Sequence, residues 1–101
     1  MHEAIEIRHI DGVATVVATG ELDLVTAPAL RAALEEAVAL APDRIVVGLA
    51  TVTFLDSTGL GALVHGWRLA SDQGIKLTVR DASPPVRRVI TVTGLDNLLD
   101  G

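Results

Sequence analysis

The chain contains no cysteine and no tyrosine, and only one phenylalanine, one tryptophan and one lysine. Without cysteine there is neither a disulfide frame nor a thiol nucleophile. Phe54 and Trp67 alone offer no platform on which bases could stack. Lys and Arg number 8 against 13 Asp and Glu, for a formal net charge of −5, and the adjacent Arg87 and Arg88 come nearest to a basic cluster. Nucleic-acid binders gather their cations on one surface, so the expectation is no nucleic-acid partner. Apolar stretches are broken by charge or glycine short of the length a bilayer span requires, so no membrane insertion is expected. Met1 to Glu6 lacks a basic region followed by an apolar block, which argues against a secretory signal and for the cytoplasm. A length of 101 residues suits one domain, residues 1–101, and leaves no room for a catalytic domain plus a regulatory one.

Half the residues are hydrophobic, and their spacing defines the elements. Ile5 and Ile7 alternate with Glu6 and Arg8, and Asp11 followed by Gly12 signals a hairpin into a second strand from Val13 to about Thr19. Leu30, Leu34, Ala37 and Val38 form a helical stripe that starts at Thr26 or Ala27, has Pro28 in its first turn and ends at Pro42 and Asp43. Residues 45–49 read as a central strand covered on both faces. Leu60, Leu63, Val64 and Trp67 mark a second helix ending near Gly74. Ile75, Leu77 and Val79 alternate as a strand with one wet face. Ser83, Pro84 and Pro85 open a third helix closed by Gly94, although Thr91 and Val92 are poor helix formers. The order strand, strand, helix, strand, helix, strand, helix predicts an α/β sandwich with a mixed sheet.

Enzyme motifs fail on spacing. A nucleophile elbow needs glycine two places before its serine, where Ser57 has Leu55. Gly59 and Gly61 lead into no Gly, Lys, Ser/Thr ending, so there is no P-loop. His2, His9 and His65 lack ligand spacing, and neither metal nor cofactor is expected. A triad of Ser57, His65 and Asp56 is unfavourable because the aspartate is adjacent to the serine it would have to serve from the far side of the histidine. Glu21 and Asp23 lack any sign of a sugar groove between them.

The run Phe54, Leu55, Asp56, Ser57, Thr58, Gly59, Leu60, Gly61 carries the functional reading. It places Ser57 and Thr58 at a strand-to-helix junction, where the first amides lack backbone partners and a side-chain oxygen can cap them. A phosphate there meets oriented N–H groups. Asp56 positions the junction. Gly59 and Gly61 either let a partner's backbone approach or serve tight helix packing, and Leu60 divides between core and partner contact.

Two stretches resemble the STAS-domain anti-sigma factor antagonists of bacteria: residues 20–30, with Glu21, Asp23 and Thr26, and residues 56–61, Asp-Ser-Thr-Gly-Leu-Gly. The resemblance implies a STAS-like sandwich with a mixed sheet of four to five strands and helices packed mainly on one face. It implies a cycle in which an anti-sigma factor serine kinase, using ATP and Mg²⁺, phosphorylates the serine after the aspartate, here Ser57, with Thr58 as the alternative acceptor. The unphosphorylated form would bind that kinase and free a sigma factor, and a serine phosphatase would reset the switch. The same resemblance puts Glu21, Asp23, Thr26 and residues 56–61 (Asp56, Ser57, Thr58, Gly59, Leu60, Gly61) on the docking surface of a protein that is a monomer when free and not an enzyme. A rival within the fold is a STAS docking subunit of a lipid-transport or stress-sensing assembly without a phospho-switch.

Overall fold

Asp11 and Gly12 both take positive φ, 51° and 80°, the pairing that a two-residue hairpin turn requires. They fold β1 (Ile5–Ile10) antiparallel onto β2 (Val13–Leu22), with Ile10 opposite Val13. The computed structural model describes residues 5–99. From β2 the chain continues through α1 (Ala27–Ala39), β3 (Arg44–Leu55), α2 (Ser57–Asp72), β4 (Lys76–Arg80) and α3 (Pro84–Val92) to a 3₁₀ turn at Asp96–Leu98. The sheet has four strands in the order β1-β2-β3-β4, and β2, β3 and β4 run parallel. The expected mixed sheet is thus four-stranded, extended only by an isolated parallel bridge between Val79 and Leu99.

Alternation decides which face is covered. Ala14 and Val16 of β2, Ile45, Val47 and Leu49 of β3, and Leu77 and Val79 of β4 point inward. They form one core with Leu30 and Leu34 of α1, Leu60 and Leu63 of α2, and Val86 and Ile90 of α3. All three helices therefore bury their apolar stripes against the same side of the sheet. Val46 is only 3% exposed yet lies outside that core, on the opposite face between its register partners Thr15 and Thr78. A fully buried Leu such as Leu34 contributes about 1.5–3 kcal/mol of transfer free energy.

The central strand is longer than its apolar run. Residues 45–49 are continued to Leu55 because Thr51, Val52, Phe54 and Leu55 pair with Thr19, Gly20, Glu21 and Leu22. Two register shifts, at Val17/Thr19 and Gly20/Glu21, accommodate this extension. Thr51, Thr53 and Phe54 are exposed, so the inward periodicity that marks residues 45–49 stops where the strand does not. The extension matters for function: it carries β2 and β3 to a common end and delivers Leu22 and Leu55 side by side.

Candidate functional site

The junction after β3 is set by one carboxylate. Asp56 has extended backbone angles, φ −101° and ψ −175°, and its Oδ1 accepts the N–H of Gly59 at 2.9 Å as the N-cap of α2. The first intrahelical bond runs from the N–H of Leu60 to the carbonyl of Asp56, 2.9 Å. Ser57 and Thr58, both exposed, therefore occupy the first two helical positions, ahead of that bond. The capping oxygen belongs to Asp56 rather than to Ser57 or Thr58, which leaves the Ser57 hydroxyl outside the cap.

Facing the junction is the loop from Leu22 to Ala27. The N–H of Asp56 donates to the carbonyl of Leu22 at 3.1 Å, so loop and junction are stitched together. Within the loop, Asp23 Oδ1 accepts the N–H groups of Val25 (3.0 Å) and Thr26 (3.2 Å). The Thr26 hydroxyl donates to the carbonyl of Glu21 at 2.7 Å and accepts the N–H of Asp23 at 2.9 Å. Asp23 and Thr26, expected on the rim of a docking surface, are thus half-buried, with Asp23 Oδ1 and the Thr26 hydroxyl bonded within the loop itself. Thr26 stands at the N-cap position of α1 but makes no side-chain cap bond, for the same reason. What the loop presents outward is apolar: Leu24 is 72% and Val25 84% exposed, and Phe54, paired with the exposed Glu21, is 49% exposed. Leu24 and Val25 were given no role of their own from the sequence. The available signal was a pair of large aliphatic residues in a loop between polar turn residues.

The two glycines separate. A Cβ on Gly59 would overlap the carbonyl of Leu22 and come within 2.9 Å of the Leu22 Cβ, so Gly59 is a packing residue that lets α2 lie against the end of β2. Gly66 does the same two turns further along that face of α2, where a Cβ would lie 2.8 Å from the Leu34 Cβ of α1. A Cβ on Gly61 would meet nothing within 4 Å, and Gly61 does not take positive φ. Leu60 is 7% exposed and belongs chiefly to the core.

His65 lies eight residues beyond Ser57, a rise of about 12 Å along the helix. Its Nε2 donates to Glu35 Oε2 of α1 at 2.7 Å, and its Nδ1 accepts from Arg31 Nη2 at 3.3 Å, contacts that fit a neutral ring with its hydrogen on Nε2. The imidazole is thereby a half-buried clip between α1 and α2, which rules out the Ser57, His65, Asp56 triad on distance. An open groove of about 410 Å³ runs from Ser57 along α2 to Arg68, and Arg31 of α1 and Leu95 also line it. Among the described residues no group of three or more His, Asp or Glu is placed to hold a metal ion. No described helix is long and apolar enough to cross a membrane.

The family model described as "Mlab, STAS domain" matches residues 5–100. The chain belongs to the STAS-domain family. An anti-sigma F factor antagonist of Paenibacillus polymyxa is 34% identical over 100 residues, covering 98% of this chain and 86% of its own. A crystal structure of an anti-sigma factor antagonist from Mycobacterium paratuberculosis superposes with a TM-score of 0.78 at 38% identity, over 94% of this chain and 80% of that one. The anti-sigma factor antagonist SpoIIAA in its unphosphorylated form gives a TM-score of 0.78 at 25% identity, over 96% of this chain and 86% of its own. The STAS fold expected from the sequence, with helices on one face of a mixed sheet, is the fold found. Its relatives are named as antagonists, which are regulatory binding proteins and not enzymes.

Proposed function

We propose that this STAS domain, residues 1–101, is an anti-sigma factor antagonist with a phospho-switch at Ser57. In the unphosphorylated state it binds an anti-sigma factor serine kinase and so releases a sigma factor; phosphorylation of Ser57 by that kinase ends the binding. A serine phosphatase restores the free hydroxyl. The cycle places the protein in the cytoplasm, as a monomer between partners. The observation that carries the reading is the exposed Ser57 hydroxyl, held at the start of α2 by the Asp56 cap, in a chain whose relatives are anti-sigma factor antagonists.

The physics of the site supports a switch that acts at the interface. A phosphate on Ser57 adds about −1.5 to −2 charge, and the helix N-terminus tolerates it, with a favourable dipole contribution of about 0.3–1 kcal/mol. Asp56 repels it. A partner surface fitted to the neutral hydroxyl loses more, because like charges brought together across an interface cost several kcal/mol. The flanking apolar Leu24, Val25 and Phe54 supply contact area on the free protein.

Intact-mass measurement after incubation with each anti-sigma factor kinase of the source organism, ATP and Mg²⁺ tests the acceptor. One phosphate on the wild type and none on Ser57→Ala is the expected result. Phosphate retained by Ser57→Ala and lost from Thr58→Ala would move the switch to Thr58. A kinase that binds without modifying either residue would make the domain a constitutive docking subunit.

A further inference from the structure

Gly61 sits inside α2, a position where glycine weakens a helix relative to alanine. The usual reasons for accepting that are missing: its φ is not positive, and no atom of the fold occupies the space a Cβ would fill. The space it leaves open is the floor of the groove that begins at Ser57. Arg31, His65 and Arg68 line that groove, and no carboxylate does among the described residues, although the chain as a whole carries a net charge of −5. Arg68 makes no ion pair among the described residues, and Arg31 has only the imidazole contact at 3.3 Å. Leu60, Val64 and Leu95 provide an apolar wall.

From this we infer that the groove over Gly61 receives an acidic segment of the anti-sigma factor kinase, its backbone passing over the bare Gly61 and its carboxylates facing Arg31 and Arg68. The inference rests on the reading of Ser57 as the phospho-acceptor and extends it, because the phosphate arrives at the mouth of the same groove. A phosphate on Ser57 stands at the entrance of the groove and repels the acidic segment that must pass it. The occupant is acidic by charge complementarity: a cationic channel on an acidic protein selects an anionic partner and rejects a basic one.

The test has a partner-free arm and a binding arm. Thermal unfolding of Gly61→Ala should show a midpoint raised by up to about 4–8 °C, the range for a domain of this size when a helix glycine without a structural role is replaced. A lowered midpoint would give Gly61 a structural reason and overturn the inference. In the binding arm, calorimetry with the purified kinase that phosphorylates Ser57 should show about tenfold or greater loss of affinity for Gly61→Leu and for Arg68→Glu, with Arg68→Lys near wild type and the salt dependence reduced in Arg68→Glu. Gly61→Leu and Arg68→Glu binding within twofold of wild type, while Ser57→Asp no longer binds, would overturn the groove and leave the switch standing. The converse, groove variants that fail while Ser57→Asp binds normally, would leave the groove standing and remove the switch.

Discussion

The N–H of Asp56 donates to the carbonyl of Leu22 at 3.1 Å, and Gly59 packs against that same carbonyl with no room for a Cβ. The end of β2 and the start of α2 are therefore one rigid corner, and the Ser57 hydroxyl is presented from it. Gly59→Ala should destabilise the domain by about 1–3 kcal/mol, since the obstructing atom is backbone and cannot rotate away. Gly66→Ala, whose Cβ would come within 2.8 Å of the Leu34 Cβ, should cost a comparable amount. Urea unfolding of the two variants gives the comparison, and a neutral Gly59→Ala would show that the corner can open.

Asp56 contributes through its cap. Asp56→Ala should lose about 0.5–2 kcal/mol, and Asp56→Asn only a fraction of that, because asparagine also accepts the Gly59 N–H. Chemical denaturation reads both. Equal losses for the two variants would mean that the charge, rather than the hydrogen bond, stabilises the junction.

Thr26 holds the facing loop. Replacing it by valine keeps the shape and removes the bonds to Glu21 and Asp23, at about 1 kcal/mol. The more telling measurement is amide hydrogen exchange: protection at Asp23, Val25 and Thr26 should fall while that of β3 is unchanged. Uniformly lowered protection would instead make Thr26 part of the global core.

Leu24, Val25 and Phe54 separate folding from docking. Serine at each should leave the unfolding free energy within about 0.5 kcal/mol of wild type, as for exposed positions away from caps and core. Affinity for the kinase should fall by about tenfold or more for at least one of the three, as interface anchors do. Variants that bind normally would place the interface elsewhere on the domain.

Much of this was legible in the sequence where a period or a turn chemistry repeats. The Asp11 and Gly12 hairpin, the α1 stripe of Leu30, Leu34 and Ala37, and the alternation of Leu77 and Val79 all obey rules that one strand or helix follows by itself. The Ser57 junction was legible because Phe54 and Leu55 run into Asp56, Ser57, Thr58 and Gly59, directly ahead of the helical stripe of Leu60, Leu63 and Val64. The rest depends on what lies opposite. The second half of β3 has no inward period, and only its pairing with residues 19–22 makes it a strand. Asp23 and Thr26 are expected on a docking surface, yet Asp23 Oδ1 and the Thr26 hydroxyl accept from backbone amides two and three residues away. Gly59 and Gly61 look alike in sequence, two places apart, and differ because Leu22 faces one and open solvent the other. His65 showed only a lack of ligand spacing in the sequence, and its role as a clip between helices depends on Glu35 and Arg31, 30 and 34 residues away.

The central claim is that phosphate on Ser57 changes binding and not fold. The direct measurement is the affinity of the purified anti-sigma factor kinase for the unphosphorylated protein and for the same protein carrying phosphoserine at 57, alongside amide NMR spectra of both. Binding weaker by about a hundredfold, some 2.7 kcal/mol, with spectral changes confined to the β2 end and the first turns of α2, is the predicted result. Equal affinity in the two states would contradict the switch, and a globally altered spectrum would contradict the claim that it works at the surface.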